Sequence, residues 1–159
     1  MAPGLREVYG LLLALPSLGP FLAYQYAVDL AYSAATAAEE SQFVVADPGC
    51  LDGIAKCFTD TGGLSPAEVI AWIADSSPEH FTRLGLGFAD LWGRWPALID
   101  WQNVFCEVSK YTRATHPHVR GPSGRTRIKQ EFRQTPAPID YRFPPKWGLP
   151  AERTVVVRN

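Results

Sequence analysis

Long apolar runs are missing from this chain. Its most apolar stretch, Leu11 to Leu30, contains Pro16, Gly19, Pro20, Gln25 and Asp29. A lipid-spanning helix needs ~20 consecutive, largely apolar residues, so this stretch is no membrane span. The run Leu11 to Leu15 is short, and Arg6-Glu7 ahead of it adds no net positive charge, which excludes a secretory signal. The expected location is the cytoplasm, or the nucleus if the source is eukaryotic. Cysteine is scarce as well. Cys50, Cys57 and Cys106 form no CxxC pair and leave an odd thiol. That argues against a disulfide scaffold or a zinc knuckle and for a reducing compartment. Strand-like alternation is nearly absent, with only Phe43 to Val45 and Val155 to Val157 reading as β, and there is no internal repeat.

What is present is enough for one folded domain. The chain has 159 residues, 47% hydrophobic and 19% charged, which is not the balance of a disordered chain. Positive charge is unevenly placed. Residues 1–100 hold four basic side chains against twelve acidic ones, a net of −8. Residues 101–159 hold eleven basic against four acidic, a net of +7. Such a split points to a polyanionic partner for the basic half, or to a solvated basic face that offsets the acidic one.

The periodicity predicts a mainly α fold. Leu5 to Ala14 and Phe21 to Ser33 read as two helices joined by Leu15-Pro16-Ser17-Leu18-Gly19-Pro20. Asp52 reads as the cap of a helix through Ile54 to Phe58. Ser65-Pro66-Ala67-Glu68 is a helix start with a capping box, and Ser77-Pro78-Glu79-His80 reads as a second, shorter start. Ile99 to Arg113 is the central helix, and Arg125 to Phe132 reads as one more short helix. These readings give a single helical domain over 1–133, with the hairpin at 15–23, the site helix at 99–113 and a basic segment at 113–133. Residues 134–159 form a Pro-rich, irregular extension.

Three constellations can carry chemistry. The hairpin Leu15 to Ala23 has the spacing of the helix-hairpin-helix motif, in which backbone N–H groups around Ser17 and Gly19 meet a DNA phosphate. Ser17 stands where that motif has its first glycine, and Pro20 removes a donor. An ordinary αα-hairpin has the same outline. In the central helix, Asp100, Asn103, Glu107 and Lys110 fall on one stripe, with Cys106 and Arg113 at its edge, opposite an apolar stripe. Such a varied polar stripe reads as a buried site rather than as a solvated face. Beyond it, Lys110, Arg113, Arg120, Arg125, Arg127, Lys129 and Arg133 suit phosphate oxygens, with only Glu131 opposing them. Gln25 and Asp29 are a polar pair one turn apart in an apolar helix, and Lys56 follows a glycine-flanked turn where an anion can sit. His116 and His118 lack a third ligand and make a poor metal site.

These runs are similar to a known family. Asp100-x-Gln102-Asn103-x-Phe105-Cys106-Glu107-x-x-Lys110-Tyr111-x-Arg113, then His116-Pro117 and Arg127-Ile128-Lys129-x-x-Phe132, resembles the alpha-glutamyl/putrescinyl thymine pyrophosphorylases. The hairpin through Gln25 and Asp29-Leu30 matches upstream, and Pro48-Gly49 with Gly53-Ile54 and Lys56 matches between. The resemblance covers roughly residues 9–133. It implies a helix-hairpin-helix fold akin to DNA glycosylases and a role in hypermodifying thymine in bacteriophage DNA. The implied substrate is 5-hydroxymethyluracil in DNA, activated as a diphosphate on its exocyclic oxygen. An amine from an amino acid or putrescine displaces pyrophosphate there. Family members carry an arginine-containing helical segment ahead of the hairpin. Either another protein chain supplies it here, or the activity is altered.

Displacement at a methylene carbon sets the expected roles. The catalytic candidates are Asp100 and Glu107, as base toward the amine, and Lys110, as a cation toward pyrophosphate. Arg113, Arg127 and Lys129 add to that charge. Gln102 and Asn103 suit the polar edge of a flipped uracil, with Gln25, Asp29 and Lys56 as further substrate contacts. Ser17, Gly19, Arg120, Arg125, Arg127 and Lys129 suit the DNA phosphates. A divalent cation such as Mg on the diphosphate is the one cofactor suggested, with Asp100, Glu107 or Asp29 as ligands. The alternatives are a non-catalytic DNA-binding module and a base-excising glycosylase.

Overall fold

The computed structural model describes residues 3–88, 90–128, 133, 139–149 and 153–155. Its body is five helices: α1 Leu5–Leu13, α2 Pro20–Ala31, α3 Pro48–Cys57, α4 Pro66–Arg83 and α5 Leu98–Thr115. The fold is mainly α. Two three-residue strands near the end, β1 Ile139–Tyr141 and β2 Arg153–Val155, pair antiparallel with Asp140 opposite Thr154. None of the described helices is long and apolar enough to cross a membrane.

Four of the helices begin where a side chain takes up an N–H at the cap or in the first turn, and α2 instead begins at Pro20, which has no N–H to satisfy. The Glu7 carboxylate accepts from the Gly4 N–H at 2.8 Å. Asp47, not Asp52, caps α3, accepting from the Cys50 N–H at 2.6 Å ahead of Pro48 in the first turn. Ser65 and Glu68 form the reciprocal box expected for α4. Pro78 does not open a new helix, because α4 runs through it. A proline lacks the N–H that would satisfy the carbonyl four residues back. Here the Ser77 hydroxyl donates to that carbonyl, on Ala74, at 3.2 Å. The orphaned acceptor is thereby met and the helix continues.

The α1–α2 hairpin turns through Ser17, whose φ of 71° lies in the left-handed region that glycine favours. Ala23, Ala27 and Ala31 repeat every four residues on the buried side of α2, and Tyr24 sits edge-on to Tyr9 with ring centroids 6.4 Å apart. All five helices feed one core, including Leu5, Tyr24, Ile54, Ile70, Ile99 and Phe105. Phe43 to Val45 is a loop rather than a strand, although Val44 enters this core.

The closest approach in that core is α3 against α5. A Cβ added at Gly53 would lie 2.0 Å from the Phe105 carbonyl oxygen, so only glycine permits this packing. The extension also returns to the body. The Trp147 indole N–H donates to Glu40 at 2.9 Å, and Arg94 stacks over the Trp147 ring with its guanidinium carbon 3.9 Å from the centroid. The sequence reading of this stretch missed β1 and the 3-10 turn Pro145–Trp147; of the strand read at Val155 to Val157, Val155 lies in β2 and residues 156–157 lie outside the described residues. Of the helix expected at Arg125 to Phe132, residues 125–128 are not helical and 129–132 lie outside the described residues.

Candidate functional site

A buried polar network joins α3 to α5 and to the loop after α5. Asp52 and Lys56, one turn apart on α3, form an ion pair at 2.8 Å with side chains only 2% and 1% exposed. The Ser109 hydroxyl donates to Asp52 Oδ2 at 2.6 Å, and the Ser109 carbonyl accepts from Lys56 Nζ at 3.3 Å. From the loop, the Ser123 N–H and hydroxyl both donate to Asp52 Oδ1, at 3.1 and 2.6 Å. Arg113 Nη1 reaches the Ser109 hydroxyl at 3.4 Å. Burial pushes the Asp52 carboxyl up, but Lys56 and the hydroxyls of Ser109 and Ser123 outweigh it and hold the group well below the usual carboxylate range. Gly121 makes the loop's approach possible, since a Cβ there would sit 2.2 Å from Asp52 Oδ1.

This network fixes the start of the basic segment. Arg113, Arg120 and Arg125 line a recess of about 170 Å³ together with Gly121 and Gly124. Arg113 Nε is buried with no hydrogen-bond partner among the described residues. Arg127 is exposed beyond the recess. Lys129 lies outside the described residues.

The opposite side of α5 is different. Asp100, Asn103, Glu107 and Tyr111, with Leu91, line a shallow groove of about 470 Å³. The stripe read from the sequence is therefore real, but it borders solvent instead of being buried. Glu107 and Lys110 pair with each other while 66% and 49% exposed. Asp100 is already engaged. It accepts from the Ala97 N–H at 2.8 Å, which caps α5, and from Arg94 Nη1 at 3.0 Å. Arg94 also holds Glu40 at 2.7 Å.

Gln102 and Asn103, expected to act together, are divided by the helix, whose successive side chains point about 100° apart. Asn103 is exposed, whereas Gln102 is fully enclosed with neither amide atom partnered among the described residues. Cys106 turns inward and donates to Asp47 at 3.1 Å; burial first, and then that carboxylate, push its thiol far up, which disfavours a thiolate. On α2, Gln25 is half-buried and Asp29 exposed, so the pair has no need of a buried partner. Asp29, Asp100 and Glu107 do not gather: among the described residues no three His, Cys, Asp or Glu side chains form a group that could hold a metal. Ser17 and Gly19 sit at the exposed tip of the hairpin, far along the chain from both α5 faces.

The family model for the helical domain of 5-hmdU DNA kinase matches residues 1–121. The chain belongs to that family. No curated protein and no solved structure matches it. The family is named for an enzyme that acts on 5-hydroxymethyluracil in DNA, the base that the sequence resemblance also implied. The matched helical domain includes α1 to α5 and runs to the glycine that covers Asp52.

Sequence reasoning missed Asp52, Ser109 and Ser123 as a network, and Arg94 with Glu40 as the partners of Asp100. An acid and a lysine four residues apart on a helix look like an ordinary exposed pair. The available signal was the glycine at position 53, immediately after Asp52, which marks a helix that another backbone must approach.

Proposed function

We propose that this chain modifies 5-hydroxymethyluracil in DNA by transferring an amine to its 5-methylene carbon. The base enters as the diphosphate ester of its exocyclic oxygen, and pyrophosphate leaves. The family match over residues 1–121 supports modification of 5-hydroxymethyluracil in DNA, and the resemblance of the Asp100 to Arg113 run supports amine transfer as the reaction. Geometry supports the division of roles. The open groove beside Asn103 and Glu107 is wide enough for a base drawn out of the duplex. The amine nitrogen forms a bond to the methylene carbon as the carbon–oxygen bond breaks. The electron pair departs on pyrophosphate, and the Glu107 carboxylate accepts the amine proton. Lys110, paired with Glu107, holds that carboxylate at the groove. Asn103 faces the uracil edge.

Asp100 serves as a positioning residue through Arg94 and the α5 cap. Lys56 does the same through Asp52, since its charge is wholly engaged within the fold. Ser17 and Gly19 on the hairpin, with Arg127 and Lys129, contact the DNA backbone. The donor is an amino acid or a polyamine.

A second reading is favoured by the family description itself: phosphorylation of the same 5-hydroxymethyl group, with this chain as the part that holds the DNA. One experiment separates the two. DNA bearing diphosphorylated 5-hydroxymethyluracil is incubated with the protein and a pool of amino acids and polyamines, and its nucleosides are weighed by mass spectrometry. A nucleoside heavier by one amine, with pyrophosphate in solution, supports transfer. Unchanged DNA there, with a phosphate gained by unactivated DNA when ATP is supplied, supports phosphorylation instead. Unchanged DNA in both arms, with binding that weakens steeply in salt, leaves a DNA-binding module.

A further inference from the structure

We propose that the recess formed by Arg113, Arg120 and Arg125 is a diphosphate-binding subsite. The inference rests on the transfer reading for the origin of the diphosphate, but its chemistry is set by the recess. Three arginines line one small space, and among the described residues no acidic one lines it. Each presents a planar fork of donors that matches two phosphate oxygens at once. Arg113 is anchored at the recess through Nη1 on the Ser109 hydroxyl at 3.4 Å, and no acidic side chain pairs with it among the described residues. Asp52 lies behind Gly121, and its oxygens are taken up by Lys56, Ser109 and Ser123. Its charge is therefore balanced inside the fold, and the three arginines retain theirs for a ligand.

Size and shape select the ligand. At about 170 Å³ the recess is well below the ~300–1,000 Å³ that encloses a drug-sized molecule, so it takes a group rather than a nucleoside. A backbone phosphodiester brings one negative charge to the three arginines. A terminal diphosphate brings about three charges to three guanidiniums and can project inward. The recess is also prepared in advance. Asp52 anchors the loop at Ser123, and Arg113 is held by Ser109, so little ordering is left for the ligand to impose.

The test is calorimetric titration of the full chain with inorganic pyrophosphate, with inorganic phosphate at matched ionic strength as control. Pyrophosphate is expected to bind at least tenfold more tightly than phosphate. The exposed pair Arg120→Ala/Arg125→Ala should weaken it by tenfold or more, with an unchanged melting temperature in the absence of ligand. Arg83→Ala, a basic side chain on α4 outside the recess, should leave binding as it was. Equal affinity for the two anions, or equal loss in the Arg83 variant, overturns the proposal. Two competitors then identify the natural source. Displacement by diphosphorylated 5-hydroxymethyluracil DNA, and not by ATP, supports the base-linked diphosphate, whereas the reverse overturns that assignment. Pyrophosphate binding needs no modified DNA. A chain that binds it but leaves modified DNA unchanged therefore refutes the transfer reading alone, and one that transfers amine without binding it at the recess refutes the subsite alone.

Discussion

The inward face of α5 sets Phe105 and Ser109 against α3, while the outward face holds Asn103, Glu107 and Lys110 in solvent. Both faces carry polar groups, and both lie in the same stretch of unusual sequence. They differ in what satisfies them. Inward, Asp52, Lys56, Ser109 and Ser123 satisfy one another at 2.6–3.3 Å, with almost no water. Outward, Glu107 and Lys110 pair with each other at side-chain exposures where an ion pair contributes about 0–1 kcal/mol. A polar group already engaged in the fold is scaffold. One held by so weak a pair is free to meet a substrate. The inward face therefore carries stability, and the proposed chemistry falls to the outward face.

Substitutions can break that contrast, beginning with the largest expected effect. Asp52→Ala leaves the Lys56 ammonium buried and unpaired and should cost about 3–5 kcal/mol in urea unfolding. A loss under about 1 kcal/mol would mean that the network is ornamental. Gly53→Ala pushes a methyl group into the Phe105 carbonyl and should cost about 1–3 kcal/mol, because α3 and α5 must separate. Normal stability in that variant would show the two helices free to part.

Acid sharpens the same point. The Asp52 carboxyl is held below its ordinary value in the folded chain, so its contribution is complete above the unfolded value of about 4 and is lost as pH falls through the folded one. The stability gap between the wild-type chain and Asp52→Asn should shrink as pH is lowered from about 5 toward 2. A gap that stays constant over that range would remove the carboxylate from the account. Asp100→Asn is intermediate. It weakens both the α5 cap and the Arg94 bridge, so it should lower stability by about 1 kcal/mol as well as slow turnover.

Much of this was legible in the sequence. Pro20 and Pro66 mark the starts of α2 and α4 because each follows a residue fit for a cap, and the outward stripe of α5 follows from its period alone. Asp47-Pro48 carries the same signal for α3, but Asp52 competes for it by type, and residue type alone does not rank two nearby caps. Pro78 looks like a start because Ser77 precedes it. Only the three-dimensional position of the Ser77 hydroxyl, on the Ala74 carbonyl, shows that it repairs a helix instead of opening one. The inward network was hidden for a related reason. Ser109 falls in a stripe of apolar residues, its partner Asp52 is 57 positions away along the chain, and Asp52 is in turn 71 positions from Ser123. Periodicity reports which side of a helix a residue lies on, and not what is packed against it.

Glu107→Gln is the smallest change in stability and the most direct test of the division between the faces. The measurement is pyrophosphate release from diphosphorylated 5-hydroxymethyluracil DNA in the presence of amines, by the wild-type chain and by this variant at equal folded concentration. The wild-type chain is expected to release pyrophosphate, and the variant to do so roughly 10²–10⁴-fold more slowly with a melting temperature within error of wild type. Release at the wild-type rate by Glu107→Gln, or none from the wild-type chain, would contradict the account.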